Sequence, residues 1–156
     1  MLTSLVLLAA VGAGTIGGVF FAFSTFVMRA LAGLPPAHGV AAMQRINVVV
    51  LNPLFLGIFV GTAGLHGLAA LLALVAWVPG TSLLLLAAAV FYVVGSVGVT
   101  MAANVPRNDR LASMPAGSDE ARDYWPIYVR EWTFWNHVRT AASLASAACS
   151  MGALAW

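Results

Sequence analysis

Four long apolar runs, separated by short segments bearing proline, glycine or polar residues, organise this chain. The first spans about residues 2–31 and ends where Gly33 and Pro35-Pro36 forbid further helix. "PAHGVAAMQRINVVV" follows, with the pattern of a short amphipathic helix at an interface. Asn52-Pro53 reads as an N-cap with proline at the first helical position, opening a second run over 53–77. After the tight turn "VPGT", a third run covers 82–104. It should stop there, because Val105 precedes Pro106 and is biased away from helical angles. A polar loop over 105–125 holds four of the five acidic residues, and Pro126 is placed to open a fourth helix over 126–155. The runs are continuous rather than alternating, so helix is expected and barrel strands are not.

Composition turns these helices into membrane spans. The chain of 156 residues is 62% hydrophobic and only 8% charged, against about 25% charged in an average soluble domain. Its mean hydropathy is +0.95. The expected fold is all-α: one membrane domain over residues 1–156, an integral four-helix up-and-down transmembrane bundle. The first run lacks a positive flank and is longer than a signal-peptide core, so it is expected to be retained. Cys149 is the single cysteine, which excludes an intrachain disulfide and a cysteine-based metal cluster.

The pI of about 9.2 rests on seven arginines and no lysine. They form no basic stripe, so no nucleic-acid partner is implied. All seven lie in or beside the segments 32–52 and 105–125, which share one side of a four-span bundle. The positive-inside rule makes that side cytoplasmic in an inner membrane and leaves both termini outside. Tyr124, Trp125, Tyr128, Trp132 and Trp135 fit an interfacial aromatic belt, with Trp77 and Trp156 at the opposite face.

Several motifs carry less chemistry than they suggest. "GAGTIG", Gly12 to Gly17, matches a dinucleotide-binding turn, but no strand precedes it and the first acidic residue is Asp109. Small residues for close helix packing explain it better, as they do Gly57 and Gly61. His66 lies near the centre of the second helix, where a neutral hydrogen-bonded core histidine outweighs a proton relay or a metal ligand. His38 is expected to be solvated. No acidic residue lies within the spans, which argues against a proton-coupled drug exporter.

The informative pattern is the convergence of polar side chains on one rim. Arg29, Asn47, Asn52, Asn104, Asn108, Asn136 and Arg139 all fall near the arginine-rich ends of the helices, whereas the other end offers little beyond Thr3, Ser4, Thr81 and Ser82. At roughly 100° per residue, Trp132, Asn136, Arg139 and Ser143 lie within about 60° of one another, with Tyr128 and Trp135 on the border. That face should look inward, since Arg139 facing lipid is costly. His137 lies about 100° round from Asn136. Tyr92, Ser96, Thr100 and Asn104 form a four-residue ladder on the third helix that drifts about 40° per step; interhelical hydrogen bonds are its expected use.

Three stretches, "AMQRINVVVLNPLF", "NVPRNDRL" and "YWPIYVREWTFWNHVRT", resemble the anthrone oxygenase-like family of small four-helix membrane proteins. Arg107 departs from the family pattern, in which leucine is expected. The resemblance implies oxidation of an anthrone to an anthraquinone by dioxygen without a dedicated organic cofactor, and ligand spacing does not support a metal. Under that reading Arg139 and Asn136 steady an oxyanion, His137 is the base, and Trp132 and Trp135 stack the polycycle. Asn104, Asn108, Asn47 and Tyr128 complete the pocket. Its partners are a hydrophobic small molecule or lipid and the membrane; assembly into a homo-oligomer stays open. The alternative is a non-catalytic membrane module that binds a lipid, a quinone or a partner subunit.

Overall fold

The computed structural model describes residues 2–155, so Trp156 lies outside the described residues. Among these the chain is all-helical, with five helices rather than four: α1 (Leu2–Ala32), α2 (Pro36–Val49), α3 (Pro53–Val75), α4 (Thr81–Ala112) and α5 (Asp119–Leu154). α1, α3 and α4 are long and apolar enough to cross a membrane. The fifth helix is the segment "PAHGVAAMQRINVV", opened by Pro36 after the break at Pro35.

The four long helices form a ring in which α1 packs on α3, α3 on α4, α4 on α5 and α5 on α1. α2 lies across the arginine-rich end, touching α1, α4 and α5. Gln44 fastens it there, donating through Nε2 to the carbonyls of Leu111 and Met114 at 2.8 Å each. Asn52 caps α3 as its sequence suggests, its side chain accepting from the Phe55 amide at 3.0 Å. At the opposite end Gly80, with φ of 84°, makes the turn into α4. Ser82 Oγ closes that turn by accepting from the Val78 amide and donating to the Ala73 carbonyl.

Two of the prolines expected to bound helices, Pro106 and Pro126, lie inside them. α4 runs through Pro106 to Ala112 because Thr100–Asn104, just ahead of the ring, is wound as π-helix. The wider turn removes the clash of the pyrrolidine with the preceding carbonyls. α5 starts seven residues before Pro126, where Ser118 accepts from the Ala121 amide at 3.2 Å and Asp119 and Glu120 occupy the first turn. Pro126 is exposed, so the carbonyl it leaves unpaired meets solvent. The polar loop expected over 105–125 thus contracts to residues 113–118.

The glycines divide by environment. A Cβ on Gly12 would collide with the Thr62 hydroxyl, and one on Gly17 would come within 2.9 Å of Leu144, so these positions set the approach of α1 to α3 and α5. Gly57 and Gly61, expected to serve packing as well, face open space with no neighbour within 4 Å of an added Cβ.

The aromatic belt also resolves differently. Tyr124, Trp125, Tyr128 and Trp132 are buried and form an internal ladder with Met28, Met43 and Leu111. Trp125 stacks on Tyr128 at 5.7 Å and Tyr128 on Trp132 at 6.4 Å. α2 and the extension of α4 past Pro106 cover the face that a shorter α4 would have left at the interface. Trp77 is exposed, as a belt residue should be.

Candidate functional site

A cavity of about 370 Å³ opens at the arginine-rich end and draws lining residues from all five helices. Its walls are aromatic, with Phe20, Phe23, Phe55, Phe59 and Trp132. Its polar groups are Gln44, Asn47, Thr100, Asn108, Asp109 and Arg139. Exposed Leu51, Leu56 and Met101 flank its mouth, so the opening is rimmed by apolar side chains.

Arg139 dominates this cavity. It is 5% exposed, and its guanidinium carbon stands 4.0 Å from the centre of the Phe20 ring and 5.1 Å from that of Trp132. Nη1 donates to Thr100 Oγ1 at 3.1 Å and Nη2 to Asn136 Oδ1 at 2.6 Å, while Nε is buried without a partner. Among the described residues the ion pairs join Arg107 to Glu131 and Arg122 to Asp119 and Asp123, leaving Arg139 a buried cation with no carboxylate. Burying such a charge costs several kcal/mol, roughly, unless an anion compensates it.

Asn136 sits behind the arginine. Its amide nitrogen donates to the Phe20 carbonyl and to Ser24 Oγ, both at 2.7 Å, which commits Oδ1 to Arg139. The two residues share the α5 face that the helical spacing indicates. The π-turn Phe23–Val27 of α1 lies beside this contact, and π-winding recurs along α4 over Phe91–Gly98 and Thr100–Asn104. The i→i+5 winding turns less per residue than an α-helix, so a four-residue step comes closer to a full turn. Tyr92, Ser96, Thr100 and Asn104 therefore share a stripe without the expected drift. Ser96 accepts from Ser143 at 3.0 Å, and Asn104 Nδ2 donates to the Trp132 carbonyl at 3.2 Å.

Asn108 Oδ1 receives both Tyr128 Oη at 2.8 Å and Trp132 Nε1 at 2.9 Å, which fixes the aromatic wall. Asn47 lines the cavity with its Nδ2 buried and unpartnered. Burial pushes the pKa of the neighbouring Tyr124 hydroxyl up, opposed by the charge of Arg110 over its ring.

The candidate residues thus separate. Asn47, Asn108, Trp132 and Arg139 line the cavity; Asn104, Asn136 and Tyr128 are buried behind its wall. His137 and Trp135 are not brought to it. His137 is exposed and lines a second groove between α1 and α5, as its 100° offset from Asn136 requires. Trp135 is half-buried and packs edge-on against Phe134 at 5.3 Å. Phe20, Phe23 and Gln44 contribute without having stood out in the sequence. A lone phenylalanine in an apolar run carries no signal of its own.

His66 lies apart from the cavity, stacked on Tyr92 at 5.1 Å. Nδ1 meets the Thr62 carbonyl at 2.9 Å and Nε2 meets Ser146 Oγ at 2.9 Å, so both ring nitrogens are satisfied. Among the described residues no three His, Cys, Asp or Glu side chains converge as a metal donor set. Arg107 Nε pairs with Glu131 at 3.0 Å and Nη1 donates to the Ala103 carbonyl, so its charge ties α4 to α5.

Residues 54–149, more than half of the chain, match the family model described as anthrone oxygenase. No curated protein and no solved structure matches the chain.

Proposed function

The chain belongs to the anthrone oxygenase family, and from that premise we propose that it is a membrane-embedded oxygenase acting on an anthrone- or quinone-like aromatic substrate. The carrying observation is Arg139: a buried guanidinium without a carboxylate, held between Phe20 and Trp132 at the edge of an aromatic cavity. The cavity volume of about 370 Å³ lies within the roughly 300–1,000 Å³ range of small-molecule sites.

The chemistry asks for what this cavity offers. Loss of a proton from the methylene of an anthrone leaves an extended enolate whose negative charge rests on oxygen. A preorganised cation in a water-poor site lowers the energy of that anion. The electron-rich ring then reduces dioxygen: one oxygen atom becomes the new ring carbonyl and the other leaves as water with the two methylene hydrogens. The four electrons given up by the carbon are the four taken by dioxygen. Phe20, Phe23 and Trp132 flank the ring system, and Asn47 Nδ2 offers a further donor. With His137 on another face, Asp109 at the mouth is the lining carboxylate able to accept the proton.

Membrane placement draws on the three long apolar helices and on the large apolar side chains they expose, such as Leu54, Val60 and Val75 on α3. α5 supplies the fourth span through its less polar second half. The arginines orient the cavity end toward the cytoplasm of an inner membrane, with both termini outside. The apolar mouth at Leu51, Leu56 and Met101 suits a substrate arriving from the bilayer.

The test is oxygen uptake by purified protein supplied with an anthrone, followed by the appearance of the anthraquinone absorption. Turnover equal to the uncatalysed rate would leave the second reading, a non-catalytic binder of a lipid or quinone. That reading draws on the exposed position of Asp109, which makes it a weakly placed base.

A further inference from the structure

We infer that the groove between α1 and α5 is a binding site for the headgroup of an anionic phospholipid. This rests on the membrane placement above but not on the oxygenase reading. The groove, of about 360 Å³, is separate from the aromatic cavity and is lined by Arg29, Arg130, Thr133, Phe134 and His137, among others. None of the five acidic residues lines it, and neither arginine takes part in an ion pair among the described residues. Glu131, next in sequence to Arg130, is turned away and bound to Arg107.

The order of these groups along the groove follows the order of polar groups in a phospholipid. α1 and α5 run antiparallel: Asn136 donates to Ser24 Oγ at 2.7 Å, and deeper in the bundle Gly17 faces Leu144. Arg29 and Arg130 therefore stand at the outer level, Thr133 lies below, and His137 sits two turns deeper than Arg130, about 10 Å at 1.5 Å per residue. Two cations meet the phosphate; Thr133 and His137 below meet the glycerol and ester oxygens. Thr133 lines the groove, with its Oγ1 buried and without a hydrogen-bond partner. Exposed Phe134 also lines it, an apolar surface along which acyl chains would run. A phosphate opposite two arginines forms charge-assisted bonds that an uncharged headgroup cannot match.

The experiment is native mass spectrometry of the detergent-purified full chain titrated separately with dioleoyl phosphatidylglycerol, dioleoyl phosphatidylcholine and inorganic phosphate. One phosphatidylglycerol should be retained per chain at least about fivefold more tightly than phosphatidylcholine, and inorganic phosphate should not compete at equal concentration. R29Q/R130Q should weaken retention about tenfold or more, each juxtamembrane arginine contributing a several-fold factor. R45Q removes the same kind of charge from exposed Arg45 outside the groove and should leave retention unchanged. R29K/R130K keeps the charges and should retain the lipid, which separates lost binding from lost folding. Equal retention of the two lipids, displacement by inorganic phosphate alone, or equal loss in R45Q would each overturn the proposal. Oxygen uptake is read separately and bears only on the enzyme reading.

Discussion

Asn136 fixes Arg139 from behind: its Oδ1 accepts from Nη2 at 2.6 Å, while the Phe20 carbonyl holds its amide nitrogen at 2.7 Å. The amide cannot turn without breaking bonds to α1, so it presents only its acceptor to the guanidinium. In the proposed reaction Asn136 is a positioning residue, and Arg139 is the group that meets substrate. Asn136→Ala should lower stability by about 1–3 kcal/mol by leaving buried groups unpaired. Oxygen uptake should fall with it, chiefly in kcat. Unfolding in detergent and steady-state uptake with an anthrone check both; a KM rise at constant kcat would contradict the positioning role.

Removing the cation should separate stability from activity. Because Arg139 has no carboxylate partner among the described residues, Arg139→Met takes away a buried charge at the loss of two hydrogen bonds. The melting temperature should hold or rise. Turnover should drop by about 10²–10³, the usual cost of losing one oxyanion donor. A variant that keeps its turnover would remove Arg139 from the chemistry.

In the proposed reaction, position singles out Asp109 as the proton acceptor. Asp109 lines the cavity and His137 does not. Asp109→Asn should therefore slow oxygen uptake by roughly 10²-fold, the lower range for loss of a general base, with partial recovery as pH rises and free enolate forms. His137→Ala should stay within about twofold of the parent, the scale of a surface change away from the site. The reverse ranking, read from initial rates across pH 6 to 9, would return the base to His137.

Much of this architecture is legible in the sequence, and the parts that are not share a cause. Apolar runs mark the long helices, and the 100° step alone puts Asn136 and Arg139 on one face and His137 on another. Helix ends at Pro106 and Pro126 follow local steric rules, yet a π-turn ahead of one and solvent beside the other relieve them. Buried Trp125 and Tyr128 read as interfacial because membrane aromatics favour interfaces; only the fold of α2 over them shows otherwise. Phe20 and Gln44 matter through distant partners, and such pairings leave no local pattern.

The glycines allow a sharp test of helix packing. Gly12 and Gly57 both sit inside membrane-length helices, so intrinsic propensity favours alanine at each by about 1 kcal/mol. At Gly57 nothing opposes that preference, since an added Cβ meets no atom within 4 Å. Gly57→Ala should therefore be neutral or stabilising. At Gly12 the methyl would collide with the Thr62 hydroxyl, and α1 must move away from α3. Overpacking of this kind costs about 1–3 kcal/mol. Thr62 is buried beside His66, whose Nδ1 bonds the Thr62 carbonyl, so the displacement reaches the polar seam joining α3 to α5. Gly12→Ala should lower the unfolding midpoint in detergent, and Thr62→Ala in the same chain should restore much of it by removing the opposing hydroxyl. Equal effects of alanine at positions 12 and 57 would mean that the close approach of α1 and α3 does not hold the bundle together.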